Sequence, residues 1–277
     1  MNCVHFIPRN EMSSRFAYKN QKNNKGSTMN TLRTTTVLML VFLSVVDLIA
    51  FQGIPTTPGG AGRLPTPIDT NRSIAPYFTP AKLSPKAPNA DGFLQRWLLL
   101  EPINKPNRTN TVFVDSYIRN AFDTLYFPNQ FIGVPRDGDK VTVGGKELAW
   151  HALETSNFNV KLFRFAYGLN KQIYGVVFWA VTVVNCPKEI KNVRMAIGSN
   201  SASMWWLNGK EAVILSGDRR MVMDDCVSKR LTLNKGANII RGAVINGPGM
   251  SDFCVRFIDE NGNPIKDFTI NLDAGKQ

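Results

Sequence analysis

Met204-Trp205-Trp206-Leu207-Asn208-Gly209-Lys210-Glu211-Ala212-Val213-Ile214-Leu215 is the stretch whose reading decides the fold. Two apolar runs flank Asn208-Gly209, a dipeptide suited to the type I′ turn because both central residues of that turn need positive φ. The stretch therefore reads as a hairpin, with strands over residues 203–207 and 211–215. Side chains alternate along a strand, so Trp205 and Trp206 must point to opposite faces of the sheet. One is expected in the core; the other either stands exposed at the sheet surface or is buried as a packing residue too.

Working outward, the same texture of short apolar runs and tight turns fills the chain from Asp91 onward. Residues 93–100 form an opening strand that Pro102 ends. Val141 and Val143 alternate ahead of Gly144-Gly145, and a return strand runs to Trp150, which makes a second hairpin. Residues 175–184 are almost continuously apolar, as a strand buried on both faces should be. Residues 160–167, 193–197, 230–233, 238–245 and 253–258 continue the series. The exception lies at residues 112–127, where Val114, Ile118, Phe122 and Leu125 fall near a 3.6-residue period and predict one short amphipathic helix. Strands this short and numerous predict an all-β two-sheet sandwich.

The beginning of the chain has another character. Arg33 precedes an apolar run over residues 37–46, broken only by Ser44, and a small residue, Ala50, closes the segment. A run of this length is too short to cross a bilayer of about 30 Å as a helix. A basic flank, a short apolar core and a small residue together give the signal-peptide pattern, so export is expected, with residues 1–50 as an N-terminal extension and leader and Met29 as a second candidate start. Residues 51–90 carry eight of the 16 prolines and little apolar material. They are expected to be an extended linker, leaving residues 91–277 as the sandwich domain.

The charge is formally +12, but from Asp91 onward 23 basic side chains stand against 18 acidic ones, without a concentrated basic stripe. A nucleic-acid binder gathers its basic residues on one face, so that class is excluded. Catalysis is poorly supplied. The chain has two histidines, His5 ahead of the leader and the solitary His151. The nearest approach to a nucleophile elbow, Gly198-Ser-Asn-Ser-Ala202, holds asparagine in the serine slot. Asp137, Asp139, Asp218, Asp224 and Asp225 read as loop acids without the paired-carboxylate arrangement of a glycosidase. Asp224-Asp225 offers oxygen to a structural Ca²⁺, but no EF-hand spacing accompanies it. Cys186, Cys226 and Cys254 match no zinc spacing, and sequence leaves open one disulfide with a free thiol or three buried thiols.

Several of these segments, in order, carry a family resemblance. The stretch from Met204 to Lys210, then Leu231-Thr-Leu-Asn-Lys-Gly-Ala-Asn-Ile-Ile240, then Phe253-Cys-Val-Arg-Phe-Ile-Asp259 resembles the second half of galactose-binding-like jelly rolls. From Asp91 the chain is similar to the accessory module of secreted bacterial proteins identified as acetylxylan esterases. The resemblance implies a jelly-roll β-sandwich and a non-catalytic module that binds xylan or another plant polysaccharide, beside companion polysaccharide-degrading enzymes. It brings no cofactor. The alternatives are an acetylxylan esterase-type hydrolase and a structural or protein-interaction jelly roll. For a sugar, a ring to stack on and fixed polar partners are required. Trp206, Asn200, Asp218, Arg219 and Asp224, around the loop after the decisive hairpin, are the residues expected to supply them.

Overall fold

The computed structural model describes residues 72–107 and 109–273; the expected leader and the first part of the expected linker lie outside them. In chain order the strands are β1 (Phe78–Pro80), β2 (Arg96–Leu100), β3 (Ile103–Asn104), β4 (Lys140–Val143), β5 (Lys146–Thr155), β6 (Val176–Cys186), β7 (Ile190–Ser199), β8 (Ala202–Leu207), β9 (Lys210–Leu215), β10 (Cys226–Val227), β11 (Leu231–Leu233), β12 (Gly236–Asn246), β13 (Phe253–Ile258) and β14 (Thr269–Asn271). Two helices interrupt them, α1 (Asp115–Asp123) and α2 (Leu162–Gly168).

The strands build two antiparallel sheets. The larger runs β1-β5-β2-β6-β12-β8-β9, with β3 and β14 also on β6 and β4 on β5. The smaller holds β10 and β11 against β7, and β13 pairs with β7 as well. The apolar run expected to be a central strand is β6, bonded to β12 from Val176 opposite Asn246 to Cys186 opposite Gly236. A strand with neighbours on both sides and cover on both faces can be apolar throughout.

The expected hairpin is β8–β9, with Asn208 at φ 51° and Gly209 at φ 76° in its turn. Trp205 and Trp206 divide between the faces as strand geometry requires. Trp205 enters the core between the two sheets, with Trp97, Phe253, Val255 and Phe257. Trp206 enters a second core on the far face of the large sheet, under α1 and the loop that follows it, with Trp179, Ile118 and Phe122. The described residues thus form three layers: small sheet, large sheet, and a cover of helix and loop.

Two expectations are corrected. Residues 160–167 do not form a strand; Leu162, Phe165 and Ala166 are buried together on α2. Leu162 and its neighbours three and four positions on share one helical face, a spacing that so short a segment does not distinguish from strand alternation. The second correction concerns the expected linker. From Phe78 it is part of the body: Phe78 is buried, β1 pairs with β5, and Lys86 exchanges backbone hydrogen bonds with Ile270. Pro80 sits in β1 at the sheet's edge, where no ladder donor is needed.

Candidate functional site

Loops from distant parts of the chain meet where β7, β9 and β12 end. The loop between β9 and β10, residues 216–225, is laid directly on β7. A Cβ at Gly198 would stand 1.8 Å from the Val222 carbonyl oxygen, so only glycine permits this approach. Asn200 fixes the same loop, accepting from the Met221 N–H at 2.7 Å, and the Ser201 N–H donates to the Arg219 carbonyl at 3.1 Å. Asn110, 108 positions upstream, donates from Nδ2 to Asp218 Oδ1 at 2.8 Å and to the Pro248 carbonyl at 3.1 Å.

Charge pairing shapes the remainder of the loop. Arg219 holds Asp225 by a bidentate fork, Nε to Oδ2 and Nη2 to Oδ1, both at 2.7 Å. Asp224, itself at φ 53°, is clasped by Arg256 of β13, which also donates to the Asp91 carbonyl at 2.9 Å and lays its guanidinium 5.0 Å from the Phe93 ring centre. Forked arginine–carboxylate pairs are directional as well as charged, and fix a loop more firmly than single contacts do.

Four of the five residues expected at a sugar site are thereby brought into one loop system: Asn200, Asp218, Arg219 and Asp224. Trp206 is not. It is 6% exposed, stacked on Trp179 at 5.5 Å between ring centres and met by the edge of Phe131 at 5.8 Å. No free ring face remains for a sugar to stack on, because the opposite side of the large sheet is covered and not open to solvent. The apolar component near the loop is instead aliphatic: Val222 and Met223 are exposed on it, and Met250 lies exposed two residues before Asp252. Asp218 is exposed, whereas Asn200, Arg219 and Asp224 are half-buried and already bonded.

Arg256 and Asn110 are the members that sequence reasoning missed. Arg256 carries a signal, a single cation inside an apolar strand. Asn110 carries none, since its partner lies across a sequence separation that no local pattern spans.

The acidic pair Asp224-Asp225 does not suit a metal ion, because each carboxylate is already neutralised by a guanidinium. Among the described residues no group of three or more His, Cys, Asp or Glu side chains is placed to hold a metal. The serines of the Gly198–Ala202 turn are buried and bound to one another and to the strand end, Ser199 Oγ to Ser203 Oγ at 2.9 Å and Ser201 Oγ to Asn246 Oδ1 at 3.4 Å. His151 lies elsewhere, on β5, with Glu101 Oε1 3.4 Å from its Nε2 and its ring edge-on to Phe165. Burial pushes the Glu101 carboxyl up, but hydrogen bonds from Lys171 and the Ala149 N–H outweigh it and hold the group below the usual carboxylate value. Cys186 and Cys254 are free thiols, and burial pushes them up to about 11 and about 12. Neither is a nucleophile near neutral pH.

No family model and no curated protein sequence matches the chain. Among solved structures, the PA14 sugar-binding domain of an RTX adhesin is similar at a TM-score of 0.37 and 7% identity, over 63% of this chain and 96% of that one. The PA14 domain of the antifreeze protein MpAFP gives 0.35 and 9%, over 72% and 98%. The epithelial adhesin 9 A domain from Candida glabrata, solved with Galβ1-4GlcNAc, gives 0.33 and 10%, over 73% and 99%. The likeness is loose. It is one between β-rich bodies, and the chain's own loop surface carries the functional reading.

Proposed function

We propose that the protein is a non-catalytic carbohydrate-binding module whose ligand lies on the loop at residues 216–225. The observation that carries this reading is the loop's construction. An exposed carboxylate, Asp218, is aimed by Asn110 beside an arginine fixed by Asp225, and Val222 and Met223 are exposed a few residues on. A sugar needs fixed hydrogen-bonding groups whose ordering cost is already met, together with a little apolar surface for its C–H faces. Asp218 accepts from hydroxyls, Arg219 donates to them, and Asn200 and Asp224 keep the loop in place. The substrate class follows the resemblance of the sequence: xylan-type or galactose-bearing polysaccharide of plant origin, met outside the cell by an exported chain that works beside degrading enzymes.

Affinity at one open site of this kind is weak, on the order of high micromolar to millimolar, because water competes for every hydroxyl. The test is a titration of the purified protein with xylo-oligosaccharides and with galactosides, followed by amide chemical shifts. Saturable shifts confined to residues 216–225 and around Asn110 are expected, and Asp218→Ala should weaken binding about tenfold at unchanged melting temperature. Arg219→Ala is the poorer probe, since it also leaves the half-buried Asp225 without its partner. Absence of shifts with both sugar classes, or equal binding by Asp218→Ala, would overturn the assignment.

A further inference from the structure

The far face of the large sheet holds an uncompensated charge. Arg241 of β12 is 1% exposed, opposite Val181 of β6 on one side and Trp206 of β8 on the other. Among the described residues no carboxylate pairs with it, and no aromatic ring lies beneath its guanidinium. Its Nη2 donates to the Gly133 carbonyl, while its Nε is buried with no acceptor. A second orphan donor belongs to the same face: Trp179 Nε1, on β6 opposite Ala243, is likewise buried and unbonded. These two positions are diagonal neighbours across β6 and β12, a placement that sets side chains about 7–8 Å apart at their bases, within reach of long and aromatic groups.

The other deeply buried arginine sets the contrast. Arg96 also leaves its Nε unbonded, yet its charge is met by Glu154 at 3.1 Å. Burying a cation without a counter-charge is costly, and a water molecule would satisfy a donor without neutralising the ion. Burial pushes the Arg241 guanidinium down to about 10, which still leaves it charged at neutral pH.

The cover over this place is a strap, residues 124–136, pinned by its aromatics. Phe127 stands edge-on to Trp150 and Trp179, and Phe131 edge-on to Trp179 and Trp206. Gln130 braces it from within, accepting from the Tyr126 N–H at 2.8 Å and donating to the Thr124 carbonyl at 3.0 Å. We propose that Arg241 and Trp179 hold a small carboxylate-type anion beneath this strap, with the Arg241 Nε–H and the Trp179 Nε1–H as its donors. A planar oxyanion matches the edge of a guanidinium, and a single negative charge cancels the buried one. The site is separate from the sugar loop and does not depend on it.

The probe is acetate, with formate and nitrate in parallel, titrated at constant ionic strength against a bulky sulfonate. Melting temperature should rise saturably by a few degrees, since a ligand that binds only the folded state stabilises it. The indole N–H resonance of Trp179, assigned by its loss in Trp179→Phe, should move along the same saturation curve. Arg241→Met should abolish both responses. If that variant does not fold, Trp179→Phe, which keeps a ring and drops one donor, should raise the half-saturating concentration several-fold. A flat melting temperature and an unmoved indole signal in the wild type, or an equal rise in either variant, would refute the site.

Discussion

The two faces of the large sheet are built from alternate residues of the same strands, yet they are finished differently. Toward the small sheet, Trp97, Trp205 and Phe253 meet edge to face at 5.0 to 5.9 Å between ring centres, and each indole N–H has an acceptor. Trp97 Nε1 donates to the Leu94 carbonyl at 2.8 Å and Trp205 Nε1 to Ser203 Oγ at 3.0 Å. Toward the strap, Trp179 and Trp206 are stacked, one indole N–H is unbonded and an arginine is buried among apolar neighbours. Both acceptors belong to the large sheet or its lead-in, Ser203 on β8 and Leu94 two residues ahead of β2, so the indoles on that face are satisfied close to their own strands. On the strap face nothing among the described residues reaches the Trp179 N–H.

The largest effect that could break this comparison is the loss of a tryptophan on each side. Trp205→Ala should cost roughly 4–5 kcal/mol in urea denaturation, since both sheets meet on that ring, and Trp206→Ala about 3, because a loop collapses into a void more readily than a sheet. The reverse order would show that the strap side governs stability. Next in size, a chain beginning at Asp91 lacks β1, the buried Phe78 and the Lys86–Glu154 ion pair. Its melting temperature should fall by about 10 °C relative to a chain beginning at residue 72, from a loss of roughly 3 kcal/mol.

A smaller effect separates carboxylates by burial. Asp252 is buried, bonded to Lys161 at 2.7 Å and Asn159 at 3.2 Å, and burial pushes its carboxyl above the ordinary aspartate value in spite of Lys161. The folded state therefore holds this proton longer than the unfolded chain does. Stability from this group falls as pH rises from about 4 through its raised value, and Asp252→Asn should remove that fall from a pH series of unfolding midpoints. Glu154 has the opposite sign. Burial pushes it up, but Lys86 and Arg96 outweigh that and hold it low, so its contribution is present above the ordinary glutamate value and lost as pH falls through the lower folded value. Glu154→Gln should flatten the acid limb of the same series. The smallest expected effect is that of Asp218→Ala, within about 0.5 kcal/mol, because an exposed loop carboxylate supports little.

How far the sequence could be read follows from how local each signal is. The β8–β9 hairpin, the β6 run and the division of Trp205 from Trp206 depend on neighbouring residues, and all three were legible. The short helix expected over residues 112–127 appears as α1, its Leu125 lying beyond the end and exposed. The α2 segment differs from the expected strand because seven residues do not separate the two periodicities. β1 was hidden by the proline content around it. At the candidate site the loop could be located, but its pairings could not. Asp224 with Arg256 and Asp218 with Asn110 are long-range choices made by the fold. Whether Trp206 is exposed or buried stayed open for a related reason: alternation says which face a residue takes, not whether that face is covered.

Gly242 of β12 lies beneath Trp205, and a Cβ there would come within 2.2 Å of the indole Cζ3 and 2.5 Å of Cε3 and Cη2. The ring rests on bare backbone, so position 242 cannot gain a side chain while the indole is in place. A descendant of this chain that gained a side chain at 242 would first have to shed the indole at 205, and passing through that intermediate would leave a hole in the core between the sheets. The two codons are inherited as one character, and in any set of related chains a large ring at the one should travel with glycine at the other.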